Sequence, residues 1–150
     1  MIQRFEDFVT GIAVCYKSIQ RIKTLEMTEF GLKGAHMMCL FFLHRNPEGL
    51  TAAQLCQLCA EDKAAISRTL ATLQERGYIV SGGKKYRAML RLTPDGAAVA
   101  DRFDALICQW VGLGGDGLSE EERAVFYRAL GHIADNLRSS MEKNASHNTI

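Results

Sequence analysis

Between Asp62 and Ile79 the sequence repeats large apolar residues with the period of an α-helix. A helix over Lys63–Arg76 would carry Ile66, Leu70 and Leu73 at spacings of four and three, which makes one narrow buried stripe. The opposite face is small, polar and partly cationic, with Ala64, Arg68, Ala71 and Glu75 at its centre and Ala65, Ser67 and Thr72 at its flanks. Small side chains let a helix backbone approach a surface, and Ser, Thr and Arg then reach phosphates and base edges. The pattern therefore favours a helix that enters a DNA groove over an ordinary surface helix.

Positive charge is concentrated around this helix. The net charge of the 150 residues is only +1. The segment Lys63–Arg91 carries seven cations against Glu75 alone, so its net charge is +6 and that of the remaining chain is −5. A local excess of this size is the electrostatic pattern expected for phosphate binding. A solvated basic surface is the alternative interpretation of the charge taken alone.

Composition limits the class of protein. A chain of 150 residues, 47% hydrophobic and 23% charged, is expected to form one globular domain with a real core. It contains no apolar run of the ~20 residues that a membrane span requires. Arg4, Glu6 and Asp7 interrupt the apolar residues at the N-terminus, so no signal peptide is expected. Five cysteines, an odd number, then predict reduced thiols in a cytoplasm.

Capping residues divide the chain into elements. Thr51 and Gln54 have the spacing of a capping box, Asp62 is a favourable N-cap, Gly77 is a helix stop, and Thr93-Pro94 begins a helix. The predicted helices span about Ile2–Leu25, Lys33–His44, Ala52–Cys59, Lys63–Arg76, Pro94–Val111 and, after a second capping box at Ser119–Glu122, a last segment to about Met141. The predicted strands are Tyr78–Ser81 and Ala88–Leu92, joined by the basic hairpin Gly82–Arg87.

Two short helices, a tight turn and a basic hairpin make a winged helix-turn-helix over about residues 33–92. The predicted fold is therefore mainly α with a small β-hairpin (α+β), in a single domain over residues 1–150. A single winged helix-turn-helix does not require the apolar-faced helices over 1–25 and 94–143. These helices therefore predict a homodimer, which would space two recognition helices about one DNA turn apart. Residues 144–150 are expected to be a flexible tail.

The order of elements and the motif residues resemble the multiple-antibiotic-resistance regulator (MarR) family of bacterial transcription factors. The resemblance covers about Gly31–Gly96 and rests on Leu50-Thr51, Leu55, Asp62-Lys63-Ala64, Ile66-Ser67-Arg68-Thr69-Leu70, Leu73, Gly77-Tyr78-Ile79, Leu92-Thr93 and Gly96. It implies a homodimer, usually a repressor, whose affinity for a pseudo-palindromic DNA operator changes when a small ligand or an oxidant acts on it.

The hairpin departs from the family pattern. Wings of the family commonly carry an Asp-Arg pair near the tip, where the Arg enters the minor groove. Here the hairpin is short and reads Gly-Gly-Lys-Lys-Tyr-Arg without an acidic residue, so Arg87 is the best candidate for the inserted cation and Lys85 the next. The short wing makes a minor-groove sequence preference less certain than phosphate affinity.

The DNA-contacting residues follow from these two elements. Ser67, Arg68 and Thr72 are expected to contact bases directly, while Ala64 and Ala65 allow the helix to approach closely. The cations expected to contact mainly the DNA backbone are Lys63, Arg76, Lys84, Lys85 and Arg87.

The sequence positions of the cysteines and histidines favour structural roles for these residues. Cys56-x-x-Cys59 lacks the further ligands of a closed zinc site, and Cys39 and Cys108 are interpreted as core residues. Some relatives sense peroxides through a cysteine near Cys15, but the apolar setting of Cys15 gives no sign of a reactive thiol. Zinc-sensing relatives pair a histidine near His36 with others on the long helix, and Pro94–Val111 has none, so no metal or other cofactor is expected.

An organic effector could bind in an aromatic cleft between the terminal helices and the wing domain. Its candidate lining residues are Tyr16, His36, Phe103 and Trp110. Catalysis finds no support, because neither a phosphate loop nor a nucleophile elbow is present. Two alternatives stay open: a winged helix that binds an acidic protein partner, and a thiol-based redox sensor that uses Cys15 or the pair Cys56 and Cys59.

Overall fold

The computed structural model describes residues 1–82 and 88–147, the last three of these by their backbone alone. It divides into two compact units, one from Met1 to Ala105 and the other from Leu106 onward. The elements are α1 (Ile2–Thr28), α2 (Gly34–His44), α3 (Ala52–Cys59), α4 (Lys63–Glu75), β1 (Ile79–Gly82), β2 (Met89–Leu92), α5 (Pro94–Ala100), α6 (Phe103–Gly114) and α7 (Glu120–His147). The predicted fold class, mainly helical with a small hairpin in a winged helix-turn-helix, is confirmed.

The small sheet follows directly after α4. Strands β1 and β2 pair antiparallel, with Ile79 opposite Leu92 and Gly82 opposite Met89. Leu50, just before α3, forms a bridge to Leu90 of β2, and the two backbone N–H···O bonds of this bridge measure 3.0 and 2.9 Å. The bridge attaches the start of the helix-turn-helix to the two-stranded sheet, which forms the base of the wing.

Five helices contribute the largest buried side chains to the core of the first unit. Met27, Leu40, Leu43, Leu55, Leu73, Cys39 and Phe103 are its largest fully buried side chains. They come from α1, α2, α3, α4 and the first residue of α6. Burying a side chain of this size contributes about 1.5–3 kcal/mol, so these contacts hold α4 against the rest of the unit.

The helix predicted over Pro94–Val111 is wrong in one respect: it is two helices, α5 and α6, separated by Asp101 and Arg102. Both separating residues have partners far away in the sequence. Asp101 Oδ1 lies 2.9 Å from His44 Nε2, and Arg102 forms an ion pair with Glu29 at 2.9 Å. The helix start at Thr93 is confirmed, because the Thr93 hydroxyl accepts the backbone N–H of Gly96 at 3.1 Å.

The second unit contains the long helix α7. Its predicted capping box is confirmed: Glu122 N–H donates to Ser119 Oγ at 3.2 Å and Ser119 N–H donates to Glu122 Oε2 at 2.8 Å. The helix continues to His147 instead of ending near Met141, so residues 144–147 of the expected flexible tail are helical. No Gly or Pro follows Met141 to stop it. Within residues 1–82 and 88–147, no helix has both the length and the hydropathy needed to cross a membrane.

Candidate nucleic-acid interface

Local hydrogen bonds fix the helix-turn-helix made by α3 and α4. At the start of α3, Gln54 N–H donates to Thr51 Oγ1 at 3.3 Å, and Thr51 N–H donates to Gln54 Oε1 at 2.8 Å, which confirms the predicted capping box. Ala60 ends α3 in the left-handed conformation, with φ of 53°. Asp62 then caps α4 by accepting the Ala65 N–H at 2.7 Å. The turn is thus determined by residues adjacent to it in the sequence.

Helix α4 packs as its periodicity predicts. Ile66, Leu70 and Leu73 are buried, and Thr69 is buried beside them. Lys63, Ala64, Ser67 and Arg68, four of the predicted DNA contacts, are exposed on the opposite side. The helix therefore presents the small, polar face to solvent while the apolar stripe joins the core.

Two of the residues of α4 that were predicted to contact DNA lie at the edge of this exposed face. Ala65 and Thr72 are half-buried, and the Thr72 hydroxyl donates to the Arg68 carbonyl at 3.2 Å. The sequence-based site omitted Ala71 and Gln74, both of which are exposed on the face. Their spacing of four and seven from Ser67 is the signal that could have identified them.

A concave surface lies between α3, α4 and the sheet. Ser67 and Gln74 of α4 line it together with Thr51, Ser81 and Met89 from the neighbouring elements. Its polar groups come from three separate segments, which the fold brings to one side of the first unit. Of the cations predicted to accompany this surface, Lys84, Lys85 and Arg87 lie outside the described residues.

Arg76, the remaining predicted phosphate contact, lies at the end of α4. Gly77 ends the helix with φ of +74°, and Tyr78 N–H donates to Leu73 O at 2.9 Å, which confirms the predicted glycine stop. The Arg76 guanidinium donates to the Phe30 carbonyl at 3.2 Å and so joins α4 to the connection between α1 and α2. A phosphate contact by this exposed residue stays a prediction.

The base of the wing is tied to α5 by unusually close packing. Thr93 Oγ1 donates to the Gly77 carbonyl at 2.6 Å, and Thr93 N–H donates to the Tyr78 carbonyl at 3.0 Å. Gly96 packs so tightly against Tyr78 that a Cβ atom at this position would lie 2.0 Å from the Tyr78 oxygen. Helix α5 therefore fixes the point where α4 passes into β1.

The residues predicted to line an effector cleft have different environments. Tyr16 is exposed, Trp110 is half-buried, Phe103 is buried in the core, and His36 is buried at the start of α2. His36 Nδ1 accepts the Lys33 backbone N–H at 2.9 Å. Burial lowers the pKa of His36, and the nearby cations Lys33 and Arg76 lower it further. The concave surface beside α4 is lined by other residues, so the effector cleft stays a prediction.

The cysteines differ from expectation in two ways. Cys39 is buried as predicted, but Cys108 is exposed instead of lying in the core, and Cys15 is exposed as well. The Cys39 and Cys59 sulfur atoms lie 3.9 Å apart across α2 and α3, a pairing that the Cys56-x-x-Cys59 spacing did not suggest. Among the described residues, no cluster of three or more His, Cys, Asp or Glu side chains could hold a metal ion.

Comparison with known proteins identifies a family for the helix-turn-helix segment. The MarR family model matches residues 30–84, which contain α2, α3, α4 and β1. Over this segment the chain is similar to the MarR family. The match spans the helix-turn-helix and the start of the wing, the same segment in which the sequence motifs occur.

Solved structures of other proteins extend the likeness to most of the chain. A MarR family transcriptional regulator from Listeria monocytogenes in complex with 26mer DNA is 19% identical, with a TM-score of 0.81 over 88% of this chain and 89% of that one. A MarR-family regulator from Silicibacter pomeroyi is 26% identical, with a TM-score of 0.71 over 88% and 86%. MepR from S. aureus, also in a DNA complex, is 17% identical, with a TM-score of 0.75 over 84% and 93%.

Proposed function

We propose that this protein is a MarR-family transcriptional regulator that binds double-stranded DNA by inserting α4 into the major groove. The observation that carries the proposal is the exposed face of α4, where Lys63, Ala64, Ser67 and Arg68 lie opposite the buried stripe. Similar proteins from Listeria monocytogenes and S. aureus form complexes with DNA, which supports the same role here. A cytoplasmic repressor is the form of regulator that we propose.

The residue types on α4 suit contact with a duplex. Ala64 and Ala71 leave space for the backbone of the helix to approach the groove. Arg68 can donate two hydrogen bonds to guanine, and Gln74 can pair in a bidentate way with adenine. Within the part of the chain that the structure describes, no hydrogen bond or ion pair occupies the Arg68 guanidinium, so this group is available to a base. Lys63, at the start of α4, is suited to a phosphate.

A homodimer is the second part of the proposal. Helix α1 leaves a stripe of large apolar side chains exposed, with Phe5 67% exposed and Ile12 40%. The other members of the stripe are Phe8, Val9, Tyr16 and Ile19. Helix α7 likewise exposes Phe126, Leu137 and Met141. Contiguous apolar surface of this kind indicates a protein interface, and a two-fold dimer would match a pseudo-palindromic DNA site.

Duplex binding tests the first part. We expect the protein to bind random duplex at low salt, with an affinity that falls as salt rises. Arg68→Ala should reduce binding to the preferred site by about 1–3 kcal/mol and relax its sequence preference. Arg128→Ala is a matched control, because it removes the same charge from α7 in the other compact unit. An absence of duplex binding at low salt would favour the alternative, a winged helix that binds an acidic protein.

Solution mass tests the second part. Ile12→Glu puts a charge in the middle of the exposed apolar stripe and should shift the protein from dimer toward monomer. Ser18→Glu is the matched control, since Ser18 is exposed on the polar side of α1. A light-scattering mass that stays dimeric for Ile12→Glu, or a wild-type protein that is monomeric, would refute the role of this face.

A further inference from the structure

Two thiols from different helices meet where α2 packs against α3. Cys39 of α2 is fully buried, and Cys59 is the last residue of α3 and is half-buried. Their sulfur atoms are 3.9 Å apart, within hydrogen-bond range for sulfur. Cys56, the other half of the Cys-x-x-Cys spacing, has no sulfur partner among the contacts of the described chain.

The surroundings make the two sulfurs chemically unequal. The hydrogen bond shared with Cys59, followed by burial, raises the pKa of the Cys39 thiol well above its ordinary value. The same hydrogen bond lowers the pKa of Cys59, and the Lys23 ammonium acts in the same direction, against burial and Glu61. Cys59, which is less buried than Cys39 and lines a cavity with Lys23, is therefore the sulfur that carries negative charge more readily.

The two sulfur atoms also differ in how easily a small molecule can reach them. Cys59 lines a small cavity of about 80 Å³ between α1, α2 and α4, together with Lys23, Glu61 and Thr69. Cys39 is not among the residues of this cavity and is shielded from solvent. A small oxidant could thus reach Cys59 first, and the second sulfur is already adjacent to it.

We propose that Cys39 and Cys59 form an oxidisable pair, in which a hydroperoxide oxidises Cys59 and Cys39 closes a disulfide. The Cys59 thiolate attacks one oxygen of the peroxide, an S–O bond forms, the O–O bond breaks, and the departing alkoxide takes a proton to become an alcohol. Cys59 is then a sulfenic acid, oxidised by two electrons while the peroxide is reduced by two. The Cys39 sulfur attacks Cys59, the S–O bond breaks as the S–S bond forms, and the Cys39 proton leaves with the hydroxide as water.

The disulfide would act on the turn that precedes α4. A sulfur–sulfur bond measures about 2.05 Å, so closing it from 3.9 Å draws the end of α3 toward α2. Only Ala60, Glu61 and Asp62 separate Cys59 from the first residue of α4. The displacement therefore reaches the Asp62 cap and the first turn of α4. This consequence for DNA rests on the proposed function, whereas the disulfide itself does not.

The test uses the full chain with Cys15, Cys56 and Cys108 replaced by Ser, so that only Cys39 and Cys59 remain. Treatment with one equivalent of hydrogen peroxide should remove both free thiols and reduce the mass by two hydrogen atoms, and dithiothreitol should reverse both changes. Adding Cys39→Ala should leave a sulfenic acid on Cys59 that dimedone captures, and adding Cys59→Ser should abolish the reaction. Wild-type protein, mapped by non-reducing peptide analysis, provides a check that does not depend on the stability of a variant.

A bridge between Cys39 and Cys59 in the wild-type map would support the proposal. A bridge between Cys56 and Cys59, or two intact thiols after peroxide treatment, would overturn it. Duplex affinity, measured before and after oxidation, should change on the order of tenfold. If the reduced protein binds no duplex but still forms the Cys39–Cys59 bond, the DNA-binding proposal fails and the oxidisable pair stands.

Discussion

Gly96→Ala should destabilise the protein, although alanine normally favours a helix. Gly96 lies inside α5, where an added Cβ would be 2.0 Å from the Tyr78 carbonyl oxygen and 2.9 Å from its carbon. Ordinary contact begins at 3.4 Å, so α5 would have to move away from Tyr78 by more than 1 Å. The obstacle is backbone, which cannot rotate aside as a flexible side chain can.

The magnitude is a balance of three contributions. Replacing glycine in a helix interior gains about 1 kcal/mol. Overpacking against a fixed neighbour costs about 1–3 kcal/mol. The same shift stretches the 3.0 Å hydrogen bond from Thr93 N–H to the Tyr78 carbonyl, which costs about 0.5–1.5 kcal/mol. The net effect is a loss of about 0.5–3.5 kcal/mol in the free energy of unfolding.

Thermal and urea unfolding at one fixed chain concentration would measure this loss. Gly11→Ala is a matched control, because Gly11 is also inside a helix of the first unit but has nothing within 4 Å of the added Cβ. We expect the control to be neutral or stabilised by up to about 1 kcal/mol. If Gly96→Ala stabilises the protein as much as Gly11→Ala does, the close packing of α5 on Tyr78 is wrong.

Two further predictions concern the helix starts. Asp62→Ala should cost about 1 kcal/mol in the free energy of unfolding and weaken duplex binding, whereas Asp62→Asn should keep the cap, so equal losses in the two variants would argue against capping as the cause. The lowered pKa of His36 implies stability that is complete above its ordinary value of 6.5 and is lost as the pH falls through the folded-state value. His36→Gln should therefore flatten the dependence of the unfolding free energy on pH below about 6.5. His132→Gln, which alters an exposed histidine of α7, is the matched control.

Helix boundaries could be predicted from the sequence where neighbouring residues determine them. Helix α3 begins and ends at the predicted residues because its capping box and the turn after it involve neighbouring residues only. Helix α4 begins at its predicted Asp62 cap for the same reason. The interruption between α5 and α6 could not be predicted in this way. Asp101 and Arg102 are held by His44 and Glu29, more than 50 residues away in the sequence, and neither a glycine nor a proline marks the break.

In the candidate DNA-binding site, too, features set by neighbouring residues could be predicted, whereas contacts between distant segments could not. The exposed face of α4 follows from helical periodicity, so Ser67 and Arg68 were predicted correctly to be exposed. The partner of Arg76 is the Phe30 carbonyl, which belongs to another connection and has no signature in the sequence. The proximity of Cys39 to Cys59 depends on how α2 crosses α3, and the Cys56-x-x-Cys59 spacing does not indicate it.

The bridge between Leu50 and Leu90 makes the segment from 50 to 90 a closed loop with a fixed base. All the residues proposed to contact DNA lie inside it, and a second set of pairs, from Ile79–Leu92 to Gly82–Met89, lies between α4 and the residues that connect the two strands. In general, each doubling of a connection's length costs only about 0.6 kcal/mol in closure entropy. A longer connection could therefore be grafted between the two strands without altering the position of α4.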